Sequence, residues 1–290
     1  MTGGLLVIGA TGQIGQPLMH RAGDRVTLAL ARDPDAVSGI PVLAFHAEDG
    51  LPVARGDWPG AAIATVPVWL LAEHAGELAA RGTRRLVCFS TTSIFGKAET
   101  SNAHERAVVE KVTSAEARIR DVCEANGIVL TILRPTLIYG AGADKTITAA
   151  ARFIRRFGFY PVHGAAAGKR QPVHADDLAA AALAALDCDA AAGRSYALGG
   201  GETVAYCDMI GRIFDVLGRP RRFVRVPGLP ALLDIAGAVI PGSELTGDVA
   251  RRMNMNLDFD DGSAARDFGY APRAFLSGGH ADPFGSRDQS

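Results

Sequence analysis

The chain is 290 residues long, 48% apolar, and carries a formal net charge of −1. That length suits one large α/β domain, or one domain with a smaller lobe, and the apolar content can fill a sizeable core. The near-neutral charge argues against nucleic acid or an anionic membrane as a general partner. Four scattered cysteines without a C-x-x-C pair argue against a disulfide framework, so a reducing, cytoplasmic setting is expected, with no signal peptide ahead of the first strand. No His/Cys cluster has metal-ligand spacing, so no metal is expected.

The first predicted strand, Leu5-Leu6-Val7-Ile8, stops at Gly9, Gly12 and Gly15, and a helix-compatible stretch follows. A pyrophosphate must approach backbone N–H groups closely, and a Cβ at such a turn would block it. The helix N-terminus adds a favourable field for an anion. Pro17 fits the first helical turn. The second strand is Val26 to Ala31, followed by Arg32-Asp33-Pro34, and the third is Val42 to Phe45. The fourth, Ala61 to Val66, runs into a helix opened by Pro67 and ended near Arg81-Gly82. The fifth, Arg85 to Phe89, leads to Ser90-Thr91-Thr92-Ser93. A long helix is predicted from Ala103 to Ala125, with Ser101 or Asn102 as N-cap and Asn126-Gly127 as stop. The sixth strand is Val129 to Arg134. Beyond it come a helix near 145–157, an alanine-rich helix from Asp176 to about Ala185 with Asp176 and Asp177 as candidate caps, and a short strand at Tyr196-Ala197-Leu198.

These strands are continuous apolar runs, which implies burial on both faces and a parallel sheet between helices. The predicted fold is α/β, a Rossmann-type doubly wound parallel sheet with a smaller C-terminal substrate lobe. Residues 1–160 and about 173–205 are assigned to the nucleotide-binding domain. Residues 161–172 and 206–276 are assigned to the lobe, and 277–290 read as a disordered polar tail. The apolar stretch Phe223 to Pro241 contains Arg225, Asp234 and prolines. It makes a poor transmembrane helix and reads as a lobe surface, leaving weak membrane contact open.

The glycine spacing is G-x-x-G-x-x-G, the form that resembles the short-chain dehydrogenase/reductase superfamily. Further segments extend the likeness. Ser90-Thr91-Thr92-Ser93-Ile94-Phe95-Gly96 resembles S-[ST]-x-x-V-[YF]-G, and Leu133-Arg134-Pro135 through Tyr139-Gly140 resembles L-R-P-x-x-x-Y-G. Arg170 through Val173-His174 to Asp177-Leu178-Ala179 is similar to R-x-x-V-H-V-x-D-[LV]-A, and Phe268-Gly269-Tyr270-Ala271-Pro272 to a closing stretch. Together they resemble the NAD-dependent epimerase/dehydratase family, on an atypical extended branch.

The resemblance implies coenzyme contacts at Gly9, Thr11, Gly12, Gln13, Ile14, Gly15, Arg32, Ala64, Thr65, Val66 and Pro135. It implies that the Thr91 hydroxyl faces the substrate oxygen, with Thr92 as its neighbour. It also implies a Tyr-x-x-x-Lys pair on the long helix, in which the ammonium favours the phenolate. Anchored on Ala115-Glu116, those positions fall at Val108 and Val112. Lys111 and Tyr139 are the candidate substitutes, with His104 and Lys97 behind them. A surface site for Lys111 and a packing role for Tyr139 are the plain alternatives, and one helical step turns Lys111 about 100° from the expected lysine. Arg170 is expected to face a substrate anion or an acidic neighbour.

Arg32 at the end of the second strand suits a 2′-phosphate, whereas an acidic residue there would bind the 2′-OH. NADP is therefore expected, with NAD as alternative. The expected function is an NAD(P)-dependent oxidoreductase or epimerase acting on an alcohol or carbonyl of a sugar nucleotide or lipid-like substrate. The alternative is a non-catalytic NAD(P)-binding sensor or assembly protein. The expected partner is a small molecule, with a homodimer as an open option.

Overall fold

The computed structural model describes residues 4–46, 49–53, 58–96, 102–140, 142, 144, 146–239, 246–260, 262–277 and 284. Lys97, Ser101 and most of the predicted tail lie outside them. The chain divides into two compact units. The first comprises Met1–Pro135, Ala175–Leu198 and Asp260–Ala271, and the second Thr136–His174, Gly199–Phe259 and Pro272–Ser290.

The first unit is built on seven strands: β1 (Leu5–Ile8), β2 (Val26–Ala31), β3 (Val42–Ala44), β4 (Ala61–Ala64), β5 (Arg85–Phe89), β6 (Val129–Pro135) and β7 (Ser195–Leu198). Their order is β7-β6-β5-β4-β1-β2-β3, and every pairing is parallel. All four residues of β1 are buried, as continuous apolar strands require. Leu6, Ile8, Ala62, Ala64, Leu86 and Cys88 share one core cluster with α2 (Val68–Ala80) and α3 (Ala103–Ala125). On the other side α1 (Gly15–Ala22) packs against α4 (Ala175–Asp187). The chain moves outward from β1 in one direction and from β4 in the other. Right-handed crossovers then place the helices on opposite faces and leave a crevice where the order reverses.

Local signals account for the helix ends. Asn102 accepts from the amides of His104 and Glu105 to start α3, and Gly127, at φ +66°, follows its end. Gly82, at φ +99°, turns the chain after α2. The closing stretch returns to this unit: the Tyr196 hydroxyl of β7 donates to Asp267 at 2.7 Å, and its ring meets Phe268 edge-on. Asp176 lies inside the first turn of α4 and pairs with Arg21 of α1, so its carboxylate links two helices where a cap was expected.

The second unit is organised around short strand pairs. Ile138–Tyr139 pairs with Val173–His174, Lys169–Arg170 with Val204–Ala205, and Tyr160–Val162 with Phe223–Arg225. Its core joins Tyr139, Ile154, Met209, Ile213 and Phe214. No described helix in the chain is long and apolar enough to cross a membrane.

Candidate functional site

The turn after β1 lies at the reversal of strand order. Gly9 has φ +90°, and a Cβ there would sit 2.6 Å from Thr65 Oγ1. A Cβ on Gly15 would sit 2.1 Å from the Gly9 carbonyl oxygen, so only glycine lets α1 start this close to the strand end. The amides of Gly9 and Ala10 both donate to the Leu30 carbonyl, at 2.8 and 3.1 Å. Thr65, just past β4, reaches the Gly9 and Ile8 carbonyls through its hydroxyl at 2.9 and 3.2 Å, and its amide donates to Ile8 at 2.8 Å. One threonine thus fastens the turn to the neighbouring strand. Gly12 is exposed, and the α1 N-terminus at Ile14 has no side-chain cap. The result is a rigid cradle of backbone dipoles that an anion can approach. Thr11 and Gln13 flank Gly12, Ala64 and Val66 flank Thr65, and Pro135 closes β6.

Arg32 follows β2, is exposed, and forms no ion pair with any described residue. The neighbouring Asp33 accepts from the Asp35 amide at 3.2 Å. The acidic group is occupied by local capping while the guanidinium is not.

Beyond β5 the chain makes a hydroxyl-rich turn. The Ser93 amide donates to Thr91 Oγ1 at 3.0 Å, and the Thr91 and Ser93 hydroxyls lie 3.0 Å apart. Thr92 is buried and donates to the Pro135 carbonyl at 3.1 Å. Thr92 therefore ties β5 to β6, and the Thr91 and Ser93 hydroxyls pair with each other. The S-T-T-S string carries Ser93, but sequence reasoning did not single it out.

On α3, Val112, Ala115, Ile119 and Cys123 are buried in one stripe, with half-buried Val108 packed beside it. The two positions where the resemblance implies Tyr and Lys are thus valines within the helix's packing stripe. Lys111 is exposed, its ammonium 4.9 Å from the centre of the Trp69 ring on α2. His104 is an exposed residue in the first turn of α3.

One turn beyond Val112, Glu116 forms a fork-to-fork pair with Arg134 of β6, with Nε to Oε1 at 2.9 Å and Nη2 on Oε2. Burial pushes the Glu116 carboxyl up. The hydrogen bonds from Arg134 and the charges of Arg134 and Arg120 outweigh that and hold it below the usual carboxylate range. The Arg134 guanidinium also lies over the exposed Phe95 ring at 5.6 Å. Cys88 and Cys123 are buried thiols that burial pushes up, Cys123 to about 11, which makes them packing groups rather than nucleophiles.

Two motif residues belong to the second unit. Tyr139 is buried, accepts from the Leu276 amide at 3.2 Å, and meets His174 and Phe275 edge-on. The glycine after it is needed, since a Cβ on Gly140, at φ +98°, would sit 2.7 Å from His174 Nε2. Arg170 is buried in a cage of carbonyls: it donates to Lys169 and Met255 at 2.7 Å each and to Arg252, and stacks over Tyr206. Among the described residues carbonyl oxygens, and no carboxylate, hold it. Burial lowers its pKa to about 10. Among the described residues no group of His, Cys, Asp or Glu could hold a metal ion.

Residues 65–199 match the family described as NAD dependent epimerase/dehydratase. A stretch of 118 residues is 31% identical to NADH dehydrogenase [ubiquinone] 1 alpha subcomplex subunit 9, mitochondrial, of Arabidopsis thaliana, covering 40% of this chain and 28% of that protein. The match thus spans less than a third of that relative's length. The fold is similar to an epimerase of Methanothermobacter thermautotrophicus, at TM-score 0.70 and 13% identity over 94% of this chain and 88% of that one. It is also similar to an NADPH-dependent quinone oxidoreductase of Escherichia coli solved with NADPH, at TM-score 0.66 and 18% identity over 93% and 96%.

Proposed function

From the match of residues 65–199 to the NAD dependent epimerase/dehydratase family, we propose that the chain binds a nicotinamide dinucleotide in the Gly9–Gly15 turn and acts as an oxidoreductase on an alcohol or carbonyl compound. The observation that carries this reading is the cradle itself: Gly9 and Gly15 fit where a Cβ would clash, Thr65 fixes the loop, and the α1 N-terminus is uncapped. Such a site suits a pyrophosphate. We assign the 2′-phosphate of NADP to Arg32, supported by its lack of an ion pair among the described residues and by the capping role of Asp33. NADPH in the quinone oxidoreductase structure is in keeping with that choice.

When bound, the coenzyme supplies or takes the hydride. The chain's part is to orient the substrate, and the Thr91–Ser93 hydroxyl pair is the group suited to hold its oxygen. The valines at 108 and 112 leave proton transfer to these hydroxyls or to water.

Titration with NADPH and NADH tests the reading. Gly12→Val is expected to weaken both at least tenfold with the fold retained. Arg32→Ala is expected to weaken NADPH about 10- to 100-fold, the value of a charge-assisted hydrogen bond, and to leave NADH unchanged. Failure of both coenzymes to bind the unaltered protein ends the proposal.

One observation favours a second reading. Valines fill the positions where the resemblance implies Tyr and Lys, as fits a nucleotide-binding component without turnover, and a relative over 40% of this chain is named as a subunit of NADH dehydrogenase. Coenzyme oxidation screened with carbonyl and quinone substrates decides between them. Turnover that falls in Thr91→Val and Ser93→Ala supports the enzyme. Tight binding with no turnover across the screen supports the component.

A further inference from the structure

We propose that the second unit carries a docking surface for an anionic phospholipid bilayer, built from the end of the helix Ile147–Phe157 and the strand Phe223–Arg225. Strand Phe223–Arg225 pairs with Tyr160–Val162, with Phe223 opposite Tyr160, and the Tyr160 amide donates to the Arg222 carbonyl. Arg219 lies beside Gly158. The register therefore brings the two segments to one place.

The surface combines exposed apolar groups with arginines, most of which have no carboxylate partner among the described residues. All three residues of the strand are exposed, although its alternate side chains point to opposite faces of a ribbon. Val224 is 44% and Phe157 52% exposed. Phe157 belongs to an aromatic cluster with Phe153 and Phe159, at centroid distances of 4.6 and 6.4 Å, and the Arg156 guanidinium lies 5.4 Å from its ring. Residues 147–162 contain three arginines, residues 216–228 contain four more, and neither segment has an acidic residue. Arg221 pairs with Asp215, whereas Arg156, Arg219, Arg222 and Arg225 have no carboxylate partner among the described residues. The ribbon runs directly into the apolar helix Leu229–Val239, on which Ile235 is 62% exposed.

A chain of net charge −1 thus concentrates free arginines around exposed apolar side chains. Arginines beside phenylalanine alone would also suit single-stranded nucleic acid. Aliphatic groups such as Val224 and Ile235 offer no stacking surface to bases, but they do enter the boundary between headgroups and acyl chains. The arginines meet the negative headgroups, at roughly fivefold in affinity for each cation.

The test is flotation of the full-length protein with vesicles of phosphatidylcholine, with and without a one-third share of phosphatidylglycerol. Binding is expected only to the anionic vesicles, and it should fall as salt rises from about 0.1 to 1 M and the Debye length shrinks from about 10 to 3 Å. The double variant Arg222→Glu, Arg225→Glu should bind at least about 25-fold more weakly. The double variant Phe157→Ser, Val224→Ser should also lose binding, and both should keep the coenzyme affinity and unfolding midpoint of the parent. If the first double variant unfolds, Arg156→Gln and Arg219→Gln carry the same test. Equal binding to neutral vesicles, no vesicle binding, or variants that bind undiminished would overturn the proposal. So would a dimer that the Phe157→Ser, Val224→Ser variant dissociates, which assigns the face to a second copy, or an RNA oligonucleotide that binds through these arginines while vesicles do not.

Discussion

Glu116 and Arg134 are an ion pair that water hardly reaches, with side chains 7% and 16% exposed. Removing one partner from such a pair leaves a buried charge without compensation, which costs about 3–5 kcal/mol. Glu116→Gln is expected to destabilise the protein by that order in urea unfolding at pH 7. The pH dependence has a definite sign. The folded carboxyl is more acidic than its ordinary value of 4.5, so the stabilisation is fully present above the unfolded pKa and is lost as pH falls through the folded one. The gap between the parent and the Gln variant should therefore be constant near neutrality and narrow below about pH 4.5. A gap that stays constant through acid would show that the carboxylate charge is not what matters. This pair was visible in the sequence only as two motif fragments, Ala115-Glu116 and Leu133-Arg134-Pro135. The geometry shows that they are one feature, joining α3 to β6 beside the Thr91 turn. Arg170 was harder to read: its carbonyl partners at 252 and 255 lie over eighty residues away, and no local pattern announces a cage of backbone oxygens.

At the scale of elements, legibility followed locality and burial. β1, β2, β4, β5 and β6 are continuous apolar runs because both faces of the sheet are covered. The α3 bounds were readable from Asn102 and Gly127, since capping is a short-range interaction. The two- and three-residue strands of the second unit were not readable, because their pairing depends on partners far along the chain. The helix Ile147–Phe157 shows a third case. Its start is organised by Asp144, which accepts from the amides of Thr146, Ile147 and Thr148 at 3.1, 2.5 and 2.9 Å and from the Thr148 hydroxyl. One carboxylate thus satisfies three of the amides that a helix start leaves over. Asp144→Ala should cost about 1–2 kcal/mol, while Asp144→Asn, which keeps an acceptor oxygen, should retain most of the stability. Urea midpoints of the two variants check this; equal losses would place the contribution in charge rather than in capping.

For the whole molecule, the net charge of −1 is an average that conceals where the charges sit. The same total is compatible with a coenzyme turn in the first unit and an arginine-rich ribbon in the second, and only folding separates them. The division into two units also sets where coenzyme binding should register. A ligand that binds the folded state alone stabilises it by about 2.7 kcal/mol at 100 times its Kd. If NADPH occupies the Gly9–Gly15 cradle, saturation should slow amide exchange in the first unit's β1–α1 turn and in Thr65, which fastens it. The Arg32→Ala variant should need proportionally more NADPH for the same protection, while NADH should protect both proteins alike. Protection centred instead on the second unit's segments, with the β1–α1 turn unchanged, would move the nucleotide site away from the three glycines and remove the physical basis for reading this chain as a dinucleotide-binding protein.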